Sequence, residues 1–290
     1  MDLVEPSLPV VNQPFFTDTF RTYPIGSSLG AEIHYDLTKV PVDQLKQALA
    51  HHKVLIFRNQ EMNEVSQTRL TERMGGFAPD FYTGDGKIQR IVKEADSKTT
   101  MVFGNGWHTD SPFLECPPST TILRSVEVPP YGGDTTFYNT AFAYQVLSNN
   151  IKDLLQSLQV HMTGHKLIEA MERSQQERFD DTELSLDYNY WKKGNIHPLV
   201  RTHPLTGEKS LYFDDVYVRR LIGVTKWESD NLCEFLIKHI TQEIFCARLR
   251  WEPNMVVLWD NRVCIHRAFN DFDGYRREMH RSIVIGEKPQ

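Results

Sequence analysis

The chain has 290 residues, 40% of them apolar, and a formal charge of −6 at pH 7. It is long enough to bury a sizeable core, and we expect a single domain over residues 1–290. The acidic balance argues against a nucleic-acid binder, which needs a basic surface to displace counterions.

In chain order, the spacing of Leu45, Ala48 and Leu49 predicts a helix, and Val54-Leu55-Ile56-Phe57 reads as a buried strand soon after it. A second helical pattern runs from Glu64 to Met74 and stops at Gly75-Gly76. Alternation from Thr121 to Val126 predicts a strand, and Gly132-Gly133-Asp134 marks a turn into the β-prone run Thr135-Thr136-Phe137-Tyr138. Helical periodicity returns from Ala141 to Leu158 and from Lys226 to Thr241, where Leu232, Phe235, Leu236 and Ile240 make an apolar stripe. Met255 to Trp259 and Ser282 to Ile285 read as late core strands. This order predicts an α+β domain built on a curved or closed β-sheet.

The stretch from His165 to Tyr190 is crowded with charge, from Glu169 and Glu172 to Asp181 and Glu183. Either a solvated surface excursion or a lid over a site fits, and the candidate insertion covers about 165–197. No run approaches the roughly 18 continuous apolar residues of a membrane-spanning helix. Met1 to Pro6 lack the basic and then apolar run of a secretory signal. Cys116, Cys233, Cys246 and Cys264 contain no close pair of the zinc or redox kind, so each is expected to be a small buried hydrophobe in a reduced, cytoplasmic protein.

The chemistry centres on His108-Thr109-Asp110. Residues i and i+2 lie on one face of an extended strand, and a distant His266 can close a three-ligand set. Two imidazoles and one carboxylate suit ferrous iron and leave positions free for a co-substrate and oxygen. Zinc with a bound water would also accept this triad, and a metal-free binding barrel is the non-enzymatic reading. A second copy of the motif, His34-Tyr35-Asp36, stands in a polar stretch with no glycine-bounded sheet after it and is expected to be a surface turn. Arg277 and Arg281 follow His266, with the turn-forming Asp273-Gly274 between. A hairpin there would bring the returning strand beside His266, with both arginines on one face to grip an anion such as a carboxylate or sulfonate.

With these residues in place, the chain resembles the taurine dioxygenase and aryloxyalkanoate dioxygenase (TauD/TfdA) family of Fe(II)/2-oxoglutarate enzymes. The resemblance rests on Trp107-His108-Thr109-Asp110, Gly132-Gly133-Asp134-Thr135, Trp259-Asp260-Asn261-Arg262 leading to His266, and Arg277 with Arg281. Val200-Arg201-Thr202-His203-Pro204 and Leu211-Tyr212 extend it over nearly the whole chain. It implies a double-stranded β-helix, or jelly-roll, with helices outside. It implies iron held by His108, Asp110 and His266, and 2-oxoglutarate gripped by Arg277 with Thr135 assisting. Arg281 would meet the substrate anion. Where the taurine enzymes place a histidine near the substrate amine, an ungapped count from Gly75 puts Asp80, a departure from the family pattern, and Asp80 or the nearby Tyr82 is expected to help line the substrate pocket. The implied reaction uses Fe(II), 2-oxoglutarate and O2, releases succinate and CO2, and hydroxylates a small organic anion: a sulfonate, a sulfate ester, or an aryloxy or carboxylic acid. The alternative is a tailoring hydroxylase or desaturase of an amino acid or secondary metabolite. Asp110 at the carboxylate position implies that the enzyme is not a halogenase, and the resemblance implies a homo-oligomer.

Overall fold

A computed structural model describes residues 11–79, 88–97, 104–166, 168–169 and 188–290. The first half carries β1 (Thr22–Pro24), β2 (Ala31–Ile33), α1 (Val42–His52), β3 (Val54–Phe57), α2 (Glu64–Met74), β4 (Gln89–Lys93), β5 (Thr120–Glu127) and β6 (Thr135–Asn139). Then come α3 (Thr140–Gln145), α4 (Asn149–Gln156), β7 (Gln159–Met162), α5 (Tyr188–Lys193), β8 (Asn195–Pro198), β9 (Val200–Thr202) and β10 (Lys209–Leu211). The chain ends with β11 (Val218–Ile222), α6 (Lys226–Ile240), β12 (Cys246–Leu249), β13 (Val256–Asp260), β14 (Cys264–Ala268) and β15 (Arg277–Val284).

Seven strands form one sheet in the order β1-β2-β3-β13-β5-β15-β4, antiparallel except between β2 and β3. A second antiparallel sheet, β12-β6-β14, packs against it. The alternation of β3 shows how the layers are divided. Leu55 and Phe57 pack with Leu45, Leu49, Leu70 and Met74 of α1 and α2, whereas Val54 and Ile56 share a cluster with Phe137, Leu249 and Cys264 of the small sheet. Each fully buried Leu, Phe or Met contributes about 1.5–3 kcal/mol, so a one-residue slip in β3 would forfeit both layers at once. Two opposed sheets with helices outside are a jelly-roll arrangement, here a sandwich with open edges and not a closed barrel.

Local signals explain why some boundaries fall where the sequence puts them. Asn63 Oδ1 accepts from the Ser66 N–H and Ser66 Oγ accepts from the Asn63 N–H, both at 2.9 Å, so α2 starts in a reciprocal cap. The helix expected from Ala141 to Leu158 is instead two helices, because the chain breaks around Leu147-Ser148 and Asn139 caps α3 while Ser148 opens α4. The hairpin expected between His266 and Arg277 is also corrected. β14 pairs with β6 in the small sheet and β15 lies between β5 and β4 in the large one, so the Asp273-Gly274 turn crosses between sheets. The arginines therefore reach the site from the opposite layer.

Cys264 is buried as expected, but Cys116 is exposed in the loop before Pro117, and Cys233 and Cys246 are half-buried. Most of the candidate insertion at 165–197, including 170–187, lies outside the described residues, as do Asp80 and Tyr82. Among the described residues, no helix is long and apolar enough to cross a membrane.

Candidate metal and anion site

His108 and His266 form an isolated antiparallel bridge, with His108 N–H to His266 O at 3.0 Å and His266 N–H to His108 O at 2.8 Å. Their rings consequently stand 4.2 Å apart, centroid to centroid. Thr109 is engaged elsewhere, its hydroxyl donating to Asn261 O at 2.9 Å. Asp110 then joins the two imidazoles, and one ligand atom from each of the three buried residues lies within 4.8 Å of the others. His34 and Asp36 form no such group: His34 is exposed against Tyr23, and Asp36 caps a short turn through the Thr38 N–H.

The protonation states fit a metal. Burial lowers His108 and takes His266 down to about 3, so both rings are neutral donors at pH 7. The contact of His108 Nδ1 with Gly106 O at 2.7 Å assigns the proton to Nδ1 and leaves the Nε2 lone pair for a metal. Burial alone would raise Asp110, but the charge of Arg281 leads the opposing effects that hold its carboxyl below the usual range. Arg281 Nη1 donates to Asp110 Oδ1 at 2.9 Å, and the Thr121 hydroxyl donates to Oδ2. Asn261 Nδ2 in turn donates to Thr121 Oγ1 at 2.9 Å. Thus the block Trp259-Asp260-Asn261-Arg262 supports the ligands from behind. Trp259 lies 4.7 Å from the His266 ring, while Asp260 takes a two-pronged contact from Arg262, at 2.7 Å for each bond, and a bond from His203 at 3.0 Å.

The three candidate ligands line one cleft together with Thr135, Arg277, Met279 and Arg281. Arg277, Met279 and Arg281 alternate along β15, which confirms the shared face expected for the two arginines. Arg277 is buried, its Nε has no hydrogen-bond partner, and no carboxylate pairs with it among the described residues. Burial pushes its guanidinium down to about 10, which marks a cation awaiting an anion. Thr135 Oγ1 accepts from Trp251 Nε1 at 2.9 Å, so its own hydroxyl proton can be donated into the cleft. Two neutral imidazoles and one carboxylate match Fe(II), and an uncompensated guanidinium in the same cleft matches the carboxylate of a 2-oxo diacid.

Two further residues shape the site without standing out in the sequence. Gly104 lines the cleft at φ +88°, and a Cβ there would stand 3.3 Å from His108 Cε1, so a side chain at this position would be strained and would crowd the His108 ring. The pair of glycines in Gly104-Asn105-Gly106, just before Trp107, is its one sequence signal. Asp214 is fully buried and accepts from the Tyr217 N–H at 2.7 Å and the Thr109 N–H at 3.4 Å, clamping the ligand segment. Burial pushes its carboxyl up to about 7 from an ordinary 3.8. A raised acid holds its proton in the folded state, so the stability it contributes is lost as pH rises from about 3.8 through about 7. Asp214→Asn cannot lose that proton. Relative to the parent it should gain more than about 1 kcal/mol between pH 5 and pH 8 in urea unfolding. An identical difference at both pH values would show that Asp214 is ionised throughout.

A jelly-roll carrying two histidines, one carboxylate and, in the same cleft, a buried arginine with no carboxylate partner among the described residues has the make-up of the non-haem iron oxygenase class. The family model described as "Taurine catabolism dioxygenase TauD, TfdA family" matches residues 21–283, and the chain belongs to that family. It is accordingly an oxidoreductase, a dioxygenase that uses Fe(II), 2-oxoglutarate and O2. Among its relatives, an alpha-ketoglutarate-dependent sulfate ester dioxygenase from Pseudomonas putida is 33% identical over 279 residues, covering 92% of this chain and 90% of its own. An alkylsulfatase from Acinetobacter baylyi is 32% identical over 271 residues, covering 91% and 83% respectively. The crystal structure of a taurine dioxygenase from Burkholderia xenovorans aligns with a TM-score of 0.75 at 31% identity, over 93% of this chain and 92% of that one.

Proposed function

We propose that His108, Asp110 and His266 hold Fe(II), that Arg277 and Thr135 hold 2-oxoglutarate, and that the substrate is a small sulfate ester or sulfonate. The observation that carries this reading is the buried guanidinium of Arg277, a cation with no counter-charge among the described residues, beside three side chains able to hold a metal. When bound, iron with 2-oxoglutarate and O2 supplies the power to oxidise an unactivated C–H bond, releasing succinate and CO2. The protein's own residues orient and exclude. Arg277 takes the distal carboxylate and Thr135 donates its hydroxyl proton, while Ile91, Leu123 and Met279 form an apolar lining that keeps water out. Arg281 neutralises Asp110 and faces the substrate anion from the same strand. Oxidation at the carbon beside the ester oxygen or sulfur makes the product fall apart.

The sulfate-ester and alkylsulfatase relatives support this substrate class over an amino acid or a secondary metabolite. Asp80 and Tyr82 are assigned to the substrate pocket, and the charged insertion at about 165–197 to its cover, within one domain. A cytoplasmic location is supported by four unpaired cysteines, and a homo-oligomer is testable by light scattering. The substrate test is oxygen uptake with Fe(II) and 2-oxoglutarate over alkyl sulfates, sulfonates, aryloxy acids and amino acids, followed by mass analysis. Uptake stimulated by sulfates or sulfonates is expected. Stimulation by amino acids alone would favour the tailoring reading, and uptake independent of 2-oxoglutarate would refute both.

A further inference from the structure

Lys93 and Phe272 have no part in the site described above, yet both lie against Arg277. Lys93 of β4 is the register partner of Arg277 on β15, so the two side chains leave the sheet on the same face. Phe272 is 1% exposed, and its ring centroid lies 4.6 Å from Lys93 Nζ and 5.9 Å from Arg277 Cζ. Lys93 Nζ donates to Asn270 Oδ1 at 2.6 Å and to Asp273 Oδ1 at 2.7 Å. One buried ammonium thus fastens the segment carrying Phe272 on both sides of the ring. From the turn that leads into β6, the Gly133 N–H donates to Asp271 Oδ1 at 2.7 Å. Gly133, at φ +68°, is so close that a Cβ would meet Phe272 Cδ1 at 3.3 Å and Arg277 Nε at 3.4 Å.

This packing gives the Arg277 guanidinium a definite depth. An aromatic ring stabilises a cation through its quadrupole without neutralising it. A carboxylate in that place would compete with a dicarboxylate ligand for the same donors. We propose that Lys93, Phe272 and Asp273 form a positioning unit that fixes how far Arg277 projects into the cleft and thereby selects the 2-oxo diacid by length. The proposal rests on Arg277 being the co-substrate anchor. With the fastening released, the ring can give way and the guanidinium can retreat to accept a diacid one methylene longer.

The experiment is calorimetric binding of 2-oxoglutarate and of 2-oxoadipate to the Mn(II)-loaded protein, for the parent, Lys93→Met, Asp273→Ala and Arg277→Met. Asp273 is 83% exposed on its side chain, so its truncation leaves the core intact and decides the matter if Lys93→Met does not fold. In the first two variants 2-oxoglutarate should bind roughly fivefold more weakly while 2-oxoadipate loses little, so the preference for the shorter acid narrows by about the same factor. An unchanged preference, or an equal loss for both acids, overturns the positioning role. Parent-like binding in Arg277→Met would instead remove the anchor, a separate failure.

Discussion

Replacing Arg277 with methionine should raise the apparent KM for 2-oxoglutarate by roughly ten- to a hundredfold, because a hydrogen bond to a charged group is worth about 1.5–3 kcal/mol. The same change should make the protein more resistant to unfolding when no co-substrate is present. Both effects have one cause. The guanidinium is buried, burial takes it down to about 10, well below the ordinary arginine range, and no carboxylate answers it among the described residues. A base whose pKa is lowered on folding costs stability at every pH below its folded value, so the penalty is fully present at pH 7. Methionine fills similar space without the charge. Thermal unfolding with and without 2-oxoglutarate reads both signs. A parent-like KM would move the anchor to Arg281, and an unchanged melting point without co-substrate would mean that the charge is compensated.

His108→Ala and Asp110→Asn should each lower metal affinity by more than about a hundredfold, since even changes to residues behind a ligand cost ten- to a hundredfold. Substrate-coupled succinate formation should vanish with it. Asp110 supplies the set's one negative charge, and Arg281 helps to keep it ionised. Arg281 and Thr121 donate to different carboxylate oxygens, so asparagine keeps an acceptor for only one of them and loses the charge. In His108→Ala the backbone bridge to His266 persists, so the fold should survive and cooperative unfolding should be retained. Normal turnover in either variant would remove that residue from the metal site.

Elements with strong local signals are legible in the amino-acid sequence alone. Helix α2 is readable from Glu64 to Met74 because a stop lies in Gly75-Gly76, and β13 from its unbroken apolar run. By contrast, β1, β2, β9 and β10 each have three residues, too few to show a period, and form only through pairing with distant or adjoining strands. The three candidate ligands stand out by residue type and spacing, but what separates His108 from His34 is tertiary: the bridge to His266 and the burial that comes with it. Spacing puts Arg277 and Arg281 on one face, yet it cannot show that they arrive from the opposite sheet or that Arg281 rests on Asp110. Asp260 is visible as part of a recognisable block. Its actual partners, Arg262 beside it and His203 far away in sequence, emerge only in the fold.

The most direct test is anaerobic titration of the parent protein with 2-oxoglutarate, with and without Fe(II), repeated on Asp110→Asn and Arg277→Met. One 2-oxoglutarate per chain is expected, tight only when Fe(II) is present and weakened in both variants. Binding of equal strength without metal, or undiminished in Arg277→Met, would contradict a shared iron and co-substrate site built from His108, Asp110, His266 and Arg277.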